Sequence, residues 1–454
     1  MSSQKPQIRV AIIGAGIAGV TLALALSERN PDLHLSIFES RLRFSELSTG
    51  VGFGPNAIQA MNLISPKITA AYDKAKTPNM GPEKAANIWY EMRFGDGPRA
   101  GELIAEVPSE QGFAHCNASR AQFLANLVDL LSKDVEVYFG KRVIDVEEDD
   151  ELEFGKMRVR FEDGTDTNAD AVIGCDGIRS ACRRILFGED DKSANAVYSG
   201  KYAYRKVVDM KKAIRAVGPE AQNRQMYLGK GGHILTFPIR NGKALNIAAF
   251  RDAEGAPWTQ RQWVVPSSRD AILKDFAGWA EYPRNILKLI EDPDKWALFD
   301  TIPSETYAQD NFCILGDAAH ATTPHLDAGA GFAIEDVHLL SGLLTPELVE
   351  SPSDIKYAFH AYDISRRPRC QELIEKSRLQ GQLLDLQQPQ GIFDEKSLVR
   401  TLNCNQKWVW NTDLAANLQR ARSLSKATRS EDSGCPGLDE TIKAEALQAL
   451  KACI

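Results

Sequence analysis

The sequence predicts an α/β fold in which a parallel-sheet domain is interrupted by an antiparallel-sheet domain and followed by a helical region. Three observations support this class. A buried strand, a glycine turn and an apolar helix open the chain at residues 10–27, alternating strand-like runs fill about residues 194–300, and helical spacing dominates after residue 334. We expect a first domain from residues 1–193 and 301–380, a second from 194–300, and a C-terminal helical region and tail from 381–454.

The opening segment carries the spacing of a dinucleotide-binding turn. After the apolar residues 10–13, Gly14, Gly16 and Gly19 follow as G-x-G-x-x-G and lead into an apolar helix. The first glycine permits a tight turn, the second a close approach of the backbone to a pyrophosphate, and the third close packing of the helix on the strand. The pyrophosphate would lie at the helix N-terminus, where free N–H groups favour an anion.

An acid at the end of the next strand supports this interpretation. Residues 33–39 alternate as a strand should, and Glu39 follows Gly19 by about 20 positions, where an acid binds the adenosine ribose. An acid at this position favours the unphosphorylated adenosine ribose of FAD or NAD over that of NADP. Together with the glycine turn it predicts a Rossmann-like domain. A transmembrane helix or a signal peptide would also explain the apolar run, but neither explains the glycines and Glu39.

Composition excludes several other classes of protein. The 454 residues are 43% hydrophobic and 25% charged, as in ordinary globular proteins, and no other apolar stretch is long enough to span a bilayer. The net charge of −7, with scattered basic residues, argues against a nucleic-acid surface. None of the eight cysteines has C-x-x-C spacing or clusters with histidines, which predicts reduced thiols in a cytoplasmic protein.

Two segments between the first strands and residue 130 predict contacts with an anion. The glycine-rich residues 48–56 include Gly52 and predict close backbone approach to a nucleotide, although a simple loop is the alternative. Arg120 lies in the first turn of a predicted helix whose N-cap is Asn117 or Ser119. A cation there opposes the helix dipole, so Arg120 is expected to face an anion, unless it is simply solvated.

Later strand ends repeat this arrangement. Residues 135–139 and 142–146 are predicted to pair as strands, and Asp176 follows another strand in a turn typical of a ligand-facing loop. Asp317 ends a third buried strand, and residues 324–336 form a small-residue turn that opens a long helix, again an anion-binding geometry. His320 and His325 are possible metal ligands by type, but two further ligands are not evident, so no metal is expected.

The remaining segments complete the predicted architecture. Runs at 202–207 and 233–239 alternate, which indicates an antiparallel sheet. The tail around 423–437 is polar and predicted to be loose, and residues 439–452 are predicted to form a final short helix.

Three segments together resemble one family. They are GAGIAG with Glu39, CDGIRS at 175–180 and LGDAAHATTPHLDAGAGFAIEDV at 315–337. In this order they resemble the single-component FAD-dependent aromatic hydroxylases, which include p-hydroxybenzoate hydroxylase, salicylate hydroxylase and fungal monooxygenases of polyketide phenols. The resemblance covers about residues 7–380 and implies a glutathione-reductase-type FAD domain with non-covalent FAD and no separate nicotinamide domain.

The resemblance also implies roles for individual residues. Gly14, Gly16, Gly19 and Glu39 would hold the ADP half of FAD, and Gly52 and Arg120 would touch the cofactor. Asp176 matches a motif associated with FAD and the nicotinamide cofactor, Asp317 one that contacts the ribitol and pyrophosphate, and Ala330 would lie against the isoalloxazine end.

The implied activity is hydroxylation of a phenolic ring, salicylate-like or polyketide-derived. NAD(P)H reduces FAD, O₂ adds to it, and a flavin C4a-hydroperoxide transfers oxygen to the ring. Whether NADH or NADPH is used stays open, as does the exact outcome of hydroxylation. The alternative is an FAD-dependent oxidase or dehydrogenase on the same fold without oxygen transfer.

Such chemistry requires a cation or base near the phenol oxygen, because a phenol has a pKa of about 10. Arg205 is the first candidate, His233 the second and Tyr227 the third; the alternatives are a surface arginine, a structural histidine and a core tyrosine. Three residues depart from the family pattern: Asp327 replaces a glycine of P-H-x-G-A-G, Phe237 replaces a tyrosine, and Lys206 replaces a glycine.

Overall fold

A computed structural model describes residues 7–44, 50–81, 87–110, 113, 116–149, 156–387 and 394–432. The strands within these ranges are β1 (Arg9–Ile13), β2 (His34–Glu39), β3 (Gly50–Gly52), β4 (Lys76–Pro78), β5 (Ile88–Phe94), β6 (Leu103–Pro108), β7 (Cys116–Ser119), β8 (Glu136–Phe139), β9 (Val143–Glu148), β10 (Met157–Phe161), β11 (Asp166–Ala169), β12 (Ala171–Gly174), β13 (Val197–Asp209), β14 (Gln225–Gly229), β15 (Gly232–Ile239), β16 (Ala244–Asp252), β17 (Val264–Pro266), β18 (Asp294–Asp300), β19 (Ala308–Gln309) and β20 (Phe312–Ile314). The α-helices are α1 (Ile17–Arg29), α2 (Pro55–Ile64), α3 (Pro66–Ala75), α4 (Arg120–Val128), α5 (Ala181–Phe187), α6 (Met210–Val217), α7 (Arg269–Asp275), α8 (Glu281–Leu287), α9 (Asp317–His320), α10 (Gly329–Leu343), α11 (Ile355–Leu384), α12 (Glu395–Trp410) and α13 (Leu414–Asp432).

A six-stranded sheet forms the centre of the first layer, in the order β19-β20-β12-β1-β2-β8. Its strands are parallel except β19, which runs antiparallel to β20. β1 and β12 are almost entirely buried, as expected when both faces of a parallel sheet are covered. α1 crosses from β1 to β2, so the predicted strand–turn–helix–strand unit is present.

The glycine turn after β1 permits an unusually close approach of α1. Gly14 has φ +105°, a conformation that side chains disfavour. A Cβ atom added at Gly19 would lie 2.0 Å from the carbonyl oxygen of Gly14. The two glycines therefore have the steric roles that their spacing predicted.

A mixed eight-stranded sheet forms the second layer, in the order β17-β18-β13-β16-β15-β14-β5-β6. The predicted antiparallel runs are its centre. β5 and β6, however, come from residues 88–108, so the sheet reaches beyond the predicted range of 194–300. β5 pairs in parallel with β14, a partner more than 100 positions away, and local periodicity carries no information about such a pairing.

The two faces of this sheet have different neighbours. Tyr204, Tyr227 and Trp279 belong to a buried apolar cluster that includes residues of α6, α7 and α8. Side chains alternate along a strand, so Ala203 and Phe250 belong to a separate cluster on the opposite face. That second face is the one available to the parallel-sheet layer.

Two predictions about secondary structure are wrong. Strand β8 pairs in parallel with β2, and β9 pairs with β10, so the runs at 135–139 and 142–146 are not partners. The backbone N–H of Lys141 donates to Glu39, which ties this turn to the parallel sheet. The tail predicted to be loose from residue 423 is helical to Asp432, because Ala421 and Ser425 are buried.

The other parts of the C-terminal prediction have different outcomes. Helices dominate from α10 to α13, as expected, whereas the predicted helix at 439–452 lies outside the described residues. Over the described ranges, none of the helices combines the length and apolarity that crossing a bilayer requires.

The close approach at Gly19 yields a stability prediction. Gly19→Ala should lower the free energy of unfolding by about 1–3 kcal/mol, because the new methyl group overlaps a backbone carbonyl that cannot move freely. Gly278→Ala is the matched control, since no atom lies within 4 Å of its added Cβ. Urea unfolding should show a change within about 0.5 kcal/mol for the control; equal values for both variants would contradict the steric argument.

Candidate active site

Three glycine-bearing strand ends meet at one edge of the parallel sheet. A Cβ atom at Gly14 would lie 2.6 Å from the carbonyl oxygen of Cys175 and 3.0 Å from the Cα atom of Asp176. Gly316, with φ +63°, packs near Ala18 of α1. The ends of β1, β12 and β20 are therefore adjacent, and the carboxyl edge of a parallel sheet is where α/β proteins bind their ligands.

Two helices present uncapped N-termini near this edge. α1 begins after Gly16 and α10 begins at Gly329 with Ala330 as its second residue; neither has a side-chain cap or an acid in its first turn. In contrast, Ser119 caps α4 and Ser180 caps α5. Uncapped N–H groups of this kind bind phosphate anions. The turns, the close backbone and the free helix ends together fit a dinucleotide.

The predicted acids have different positions around these turns. Glu39 accepts from the backbone N–H of Ala15 at 2.9 Å, which places its carboxylate beside the first glycine turn. Asp317 is exposed at the start of α9, and its carboxylate is near Gly329.

The carboxylate of Asp176 is bonded within its own segment, whereas its turn predicted an acid that faces a ligand. Its carboxylate accepts from the hydroxyl of Ser180 at 2.5 Å and from the backbone N–H of Ala181 at 2.7 Å. Burial raises its pKa, and these bonds offset only part of that effect. Its carboxylate thus stabilises the start of α5, and its contact with Gly14 is through the backbone.

An ion pair explains the departure at Asp327. This residue has φ +54°, the left-handed conformation suited to the glycine it replaces. Its carboxylate accepts from the guanidinium of Arg224 at 3.0 Å, and Arg224 is buried. A Cβ atom at Gly52 would lie 2.3 Å from that carboxylate, so Gly52 packs against the ion pair. No local motif marks Arg224, so its place at this site is not predictable from the sequence.

A small cavity lies between the second face of the eight-stranded sheet and the turn that precedes α10. Aromatic, apolar and basic side chains line it. They are Trp89, Tyr90, Arg224, Met226, His233, Leu235, Phe250, Pro324, His325, Leu326, Asp327, Leu384 and Gln406. The cavity therefore joins the sheet to the segment that leads into the N-terminus of α10.

His233 is the predicted catalytic candidate that lines this cavity. Its ring stacks on Phe250 with centroids 4.4 Å apart, and its Nδ1 lies 2.6 Å from a carboxylate oxygen of Asp385. Lys201 binds the other oxygen of Asp385. Burial alone raises the pKa of Asp385, but hydrogen bonds from His233 and Lys201 outweigh it and the pKa is lowered. No sequence motif marks Asp385 or Lys201, and neither is among the residues predicted for the site.

His325 also lines the cavity, at a ring-centroid distance of 5.2 Å from His233. It is buried, and neither of its ring nitrogens has a hydrogen-bond partner within the described residues. Burial, and then the neighbouring His233, lower its pKa well below the usual range, so it is neutral. Neither nitrogen is thus committed to a protein partner in the described part of the chain.

Arg205 lies beside the cavity and is not one of its lining residues. Its guanidinium lies over the ring of Trp296 at 5.1 Å, and in the part of the chain that is described its Nε has no hydrogen-bond partner. Burial, followed by the charge of Arg120, lowers its pKa to about 10, while Asp327 raises it. It remains a cation at neutral pH.

The assignment of Tyr227 as a catalytic candidate is wrong. Its ring lies in the apolar cluster on the opposite face of the sheet and packs on Tyr282 with centroids 5.8 Å apart. Met226, its neighbour in β14, lines the cavity instead. Alternation along the strand places only one of the two on the cavity side.

Comparison with known proteins assigns the chain to a family. The family model described as FAD binding domain matches residues 7–377. Over 419 residues the chain is 36% identical to 6-methylsalicylate 1-monooxygenase of Aspergillus terreus (strain NIH 2624 / FGSC A1156), and the alignment covers 92% of each of the two chains. It is also 36% identical over 435 residues to a salicylate hydroxylase of Pseudomonas putida, which covers 93% of this chain and 96% of that one. The chain belongs to the FAD-dependent aromatic hydroxylases.

A solved structure supports the same assignment. A salicylate hydroxylase substrate complex matches with a TM-score of 0.81 and 32% identity, over 92% of this chain and 98% of that one. The α/β fold, the FAD cofactor with NAD(P)H as co-substrate, and the monooxygenase class expected from the resemblance are thereby confirmed.

In this aromatic hydroxylase a buried ion cluster braces α10 against α11. Asp336 accepts from His320 at 2.5 Å and from Arg366 at 2.7 Å. Glu335 accepts from Arg366 and Arg369. His320, Asp336 and Cys370 offer ligand atoms within 4.8 Å of one another. The negative charge of Asp336, however, is already compensated by the guanidinium of Arg366, without a metal ion.

Protonation states follow from this cluster. Burial alone lowers the pKa of His320, but Cys370 and Asp336 raise it well above the usual range. Burial alone raises the pKa of Asp336, but His320 and Arg366 lower it below the usual range. The pair is therefore ionised at neutral pH.

Removing the acid of this pair should destabilise the hydroxylase. Asp336→Asn should lower the free energy of unfolding by about 3–5 kcal/mol, because it leaves buried cations uncompensated. The ionised Asp336 of the wild type stabilises the folded state fully above about pH 4, and this stabilisation is lost as the pH falls through the folded-state pKa of Asp336. The protonated His320 stabilises it fully below about pH 6.5, and this stabilisation is lost as the pH rises through the folded-state pKa of His320. The deficit should thus be largest between these values.

Denaturant titrations from pH 3 to 9 check this dependence. Asp432→Asn is the control, because Asp432 forms an exposed ion pair with Lys356 and should change stability little. A deficit that is independent of pH would contradict the assigned charges.

Proposed function

We propose that this chain hydroxylates a phenolic ring bound in the cavity between the eight-stranded sheet and the turn before α10. One observation carries the proposal: two histidines lie among aromatic side chains in this cavity, and within the described residues both nitrogens of His325 and the Nε2 atom of His233 have no protein hydrogen bond. The names of the relatives, salicylate hydroxylase and 6-methylsalicylate 1-monooxygenase, support a salicylate-like ring or a polyketide-derived phenol.

The cofactor would be held by the residues at the carboxyl edge of the parallel sheet. Bound FAD supplies electrons from NAD(P)H and activates O₂. The proposed contacts combine turn glycines, helix N-termini, acids and one cation: Gly14, Gly16, Gly19, Glu39, Gly52, Arg120, Asp176, Asp317 and Ala330. Asp176 would contribute through its backbone, because its carboxylate is bonded to the start of α5. The meeting of three strand ends and two uncapped helices supports these contacts for the turn glycines, Glu39, Asp317 and Ala330, whereas Gly52 and Arg120 rest on the family resemblance.

The side chains of the cavity would prepare the phenol for attack. An aromatic ring becomes more nucleophilic when its hydroxyl loses the proton, and a free phenol keeps that proton at neutral pH. We assign proton acceptance to Nε2 of His233, because its Nδ1 is already bonded to Asp385. Arg205 supplies a fixed positive charge that stabilises the phenolate. Phe250, Leu235 and Met226 exclude water from the ring.

Two further proposals concern the cellular location of the protein and its partners. We propose a cytoplasmic location, supported by six free cysteines among the described residues. We propose no nucleic-acid partner, since the net charge is negative.

A screen of phenols tests the proposed function. Salicylate, 6-methylsalicylate and carboxyl-free phenols should be incubated with the FAD-loaded protein, NADH or NADPH, and ¹⁸O₂. At least one should stimulate NAD(P)H consumption and yield a product that contains one labelled oxygen atom. Oxidation of the substrate without incorporation of label would favour an oxidase or dehydrogenase on the same fold.

Arg205→Gln tests the electrostatic role. FAD should stay bound, and product formation should fall by roughly 10²–10³-fold, the cost of removing one stabilising group of this kind. Raising the pH should restore part of the rate, because free phenolate accumulates. Arg251→Gln is the matched control: Arg251 also lies over an aromatic ring, Phe276, on the apolar-cluster face of the sheet. A normal rate for Arg205→Gln from pH 6 to 9 would exclude this role.

A further inference from the structure

His233 is bonded by a residue from a distant part of the chain. Asp385 follows the last residue of α11, and its carboxylate is completely buried. The backbone carbonyl of Asp385 also accepts from the N–H of Gly231, at 2.9 Å, in the hairpin that carries His233. The main chain and the side chain of Asp385 thus both connect the end of α11 to the eight-stranded sheet.

Lys201 keeps the Asp385 carboxylate charged. Its ammonium group binds the oxygen of Asp385 that His233 does not use, and it contacts Asp252 at 3.2 Å. A buried carboxylate next to an ammonium ion stays ionised. An ionised carboxylate only accepts hydrogen bonds, so the Nδ1 atom of His233 must carry the hydrogen.

This hydrogen determines the chemistry of the other ring nitrogen. In a neutral imidazole with hydrogen on Nδ1, Nε2 has a free lone pair. The stack on Phe250 and the edge contact with His325 restrict the ring plane. A proton acceptor with a set orientation thus lines the cavity.

We propose that Asp385, kept ionised by Lys201, is a positioning residue that fixes His233 as the proton acceptor for the phenol. The inference rests on the proposed function. In the step, the phenol O–H bond breaks, an Nε2–H bond forms, and the electron pair stays on the phenol oxygen. Asp385 then stabilises the resulting imidazolium, and no oxidant or reductant takes part.

The charged and titratable groups around this histidine come from four elements. Lys201 and Arg205 lie on β13, Asp252 on β16, Asp385 after α11, and His325 in the turn before α10. Asp385 alone among them has a hydrogen bond to His233 within the described residues, so its carboxylate sets the position of the hydrogen.

Asp385→Asn in the FAD-loaded protein tests the inference. Lys201 can only donate, so it selects the amide oxygen and turns the amide NH₂ toward Nδ1 of His233. The hydrogen of the imidazole then moves to Nε2, which can no longer accept a proton. With the phenol found in the screen, kcat should fall by about 10²–10⁴-fold while FAD occupancy is retained, and higher pH should restore part of the rate.

Two further readouts do not depend on turnover. Histidine ¹⁵N chemical shifts should show that one imidazole changes tautomer in Asp385→Asn, with His233→Gln used to assign the signal. Bound 4-nitrophenol should show the visible band of its phenolate with the wild-type protein at a pH where it is neutral in solution. With Asp385→Asn the band should require a higher pH.

Asp300→Asn is the matched control. Asp300 is equally buried and binds Arg378 through both oxygens, so it links the same sheet to the same helix away from His233. It should lower stability without moving the ionisation of bound 4-nitrophenol. If Asp385→Asn does not fold, Lys201→Gln replaces it and should also shift that ionisation to higher pH.

The outcomes separate this inference from the proposed function. An unchanged tautomer and an unchanged 4-nitrophenol ionisation in the Asp385 or Lys201 variant would overturn the positioning role, even if the wild type hydroxylates phenols. If no phenol is hydroxylated but the tautomer and the ionisation still depend on Asp385, the proposed function fails and the positioning role of Asp385 stands.

Discussion

The contact between α1 and the turn at Gly14 is the constraint on which the remaining geometry depends. A single methyl group at Gly19 would occupy the position of a backbone carbonyl. Because the helix can approach this far, its uncapped N-terminus lies beside the ends of β12 and β20. Such a turn offers a pyrophosphate several backbone N–H groups at once.

The long helix α11 connects the carboxyl edge of the parallel sheet with the cavity of the eight-stranded sheet. Arg366 binds Asp336 and Glu335 from the N-terminal half of the helix, and Asp385 binds His233 just after its C-terminal end. The 19 positions between Arg366 and Asp385 span about 28 Å of helix. One continuous helix therefore contacts both the ion cluster behind α10 and His233 in the cavity. Such buried charges are costly unless they are paired, which explains their dense bonding.

The Asp327–Arg224 ion pair shows how a departure from a family pattern is accommodated. Asp327 replaces a glycine in a left-handed conformation. Its charge is compensated by the buried guanidinium of Arg224, the residue immediately before β14. Arg224 also lies over Trp89 and Phe237 at 5.3 and 5.6 Å. Phe237, at the position of the family's tyrosine, thus contributes its aromatic ring to the packing around this cation.

By itself the sequence determined the elements whose evidence is local. The spacing of Gly14, Gly16, Gly19 and Glu39 predicted the nucleotide-binding unit, since Gly19 packs on Gly14 and Glu39 bonds to Ala15, all within about 30 residues. Tertiary structure alone decided what depends on distant pairing. It joined β5 to β14, turned Tyr227 into the apolar cluster, and brought Asp385 to His233 from 152 positions away. Periodicity shows that a side chain is buried, but only the folded chain shows which neighbour it meets.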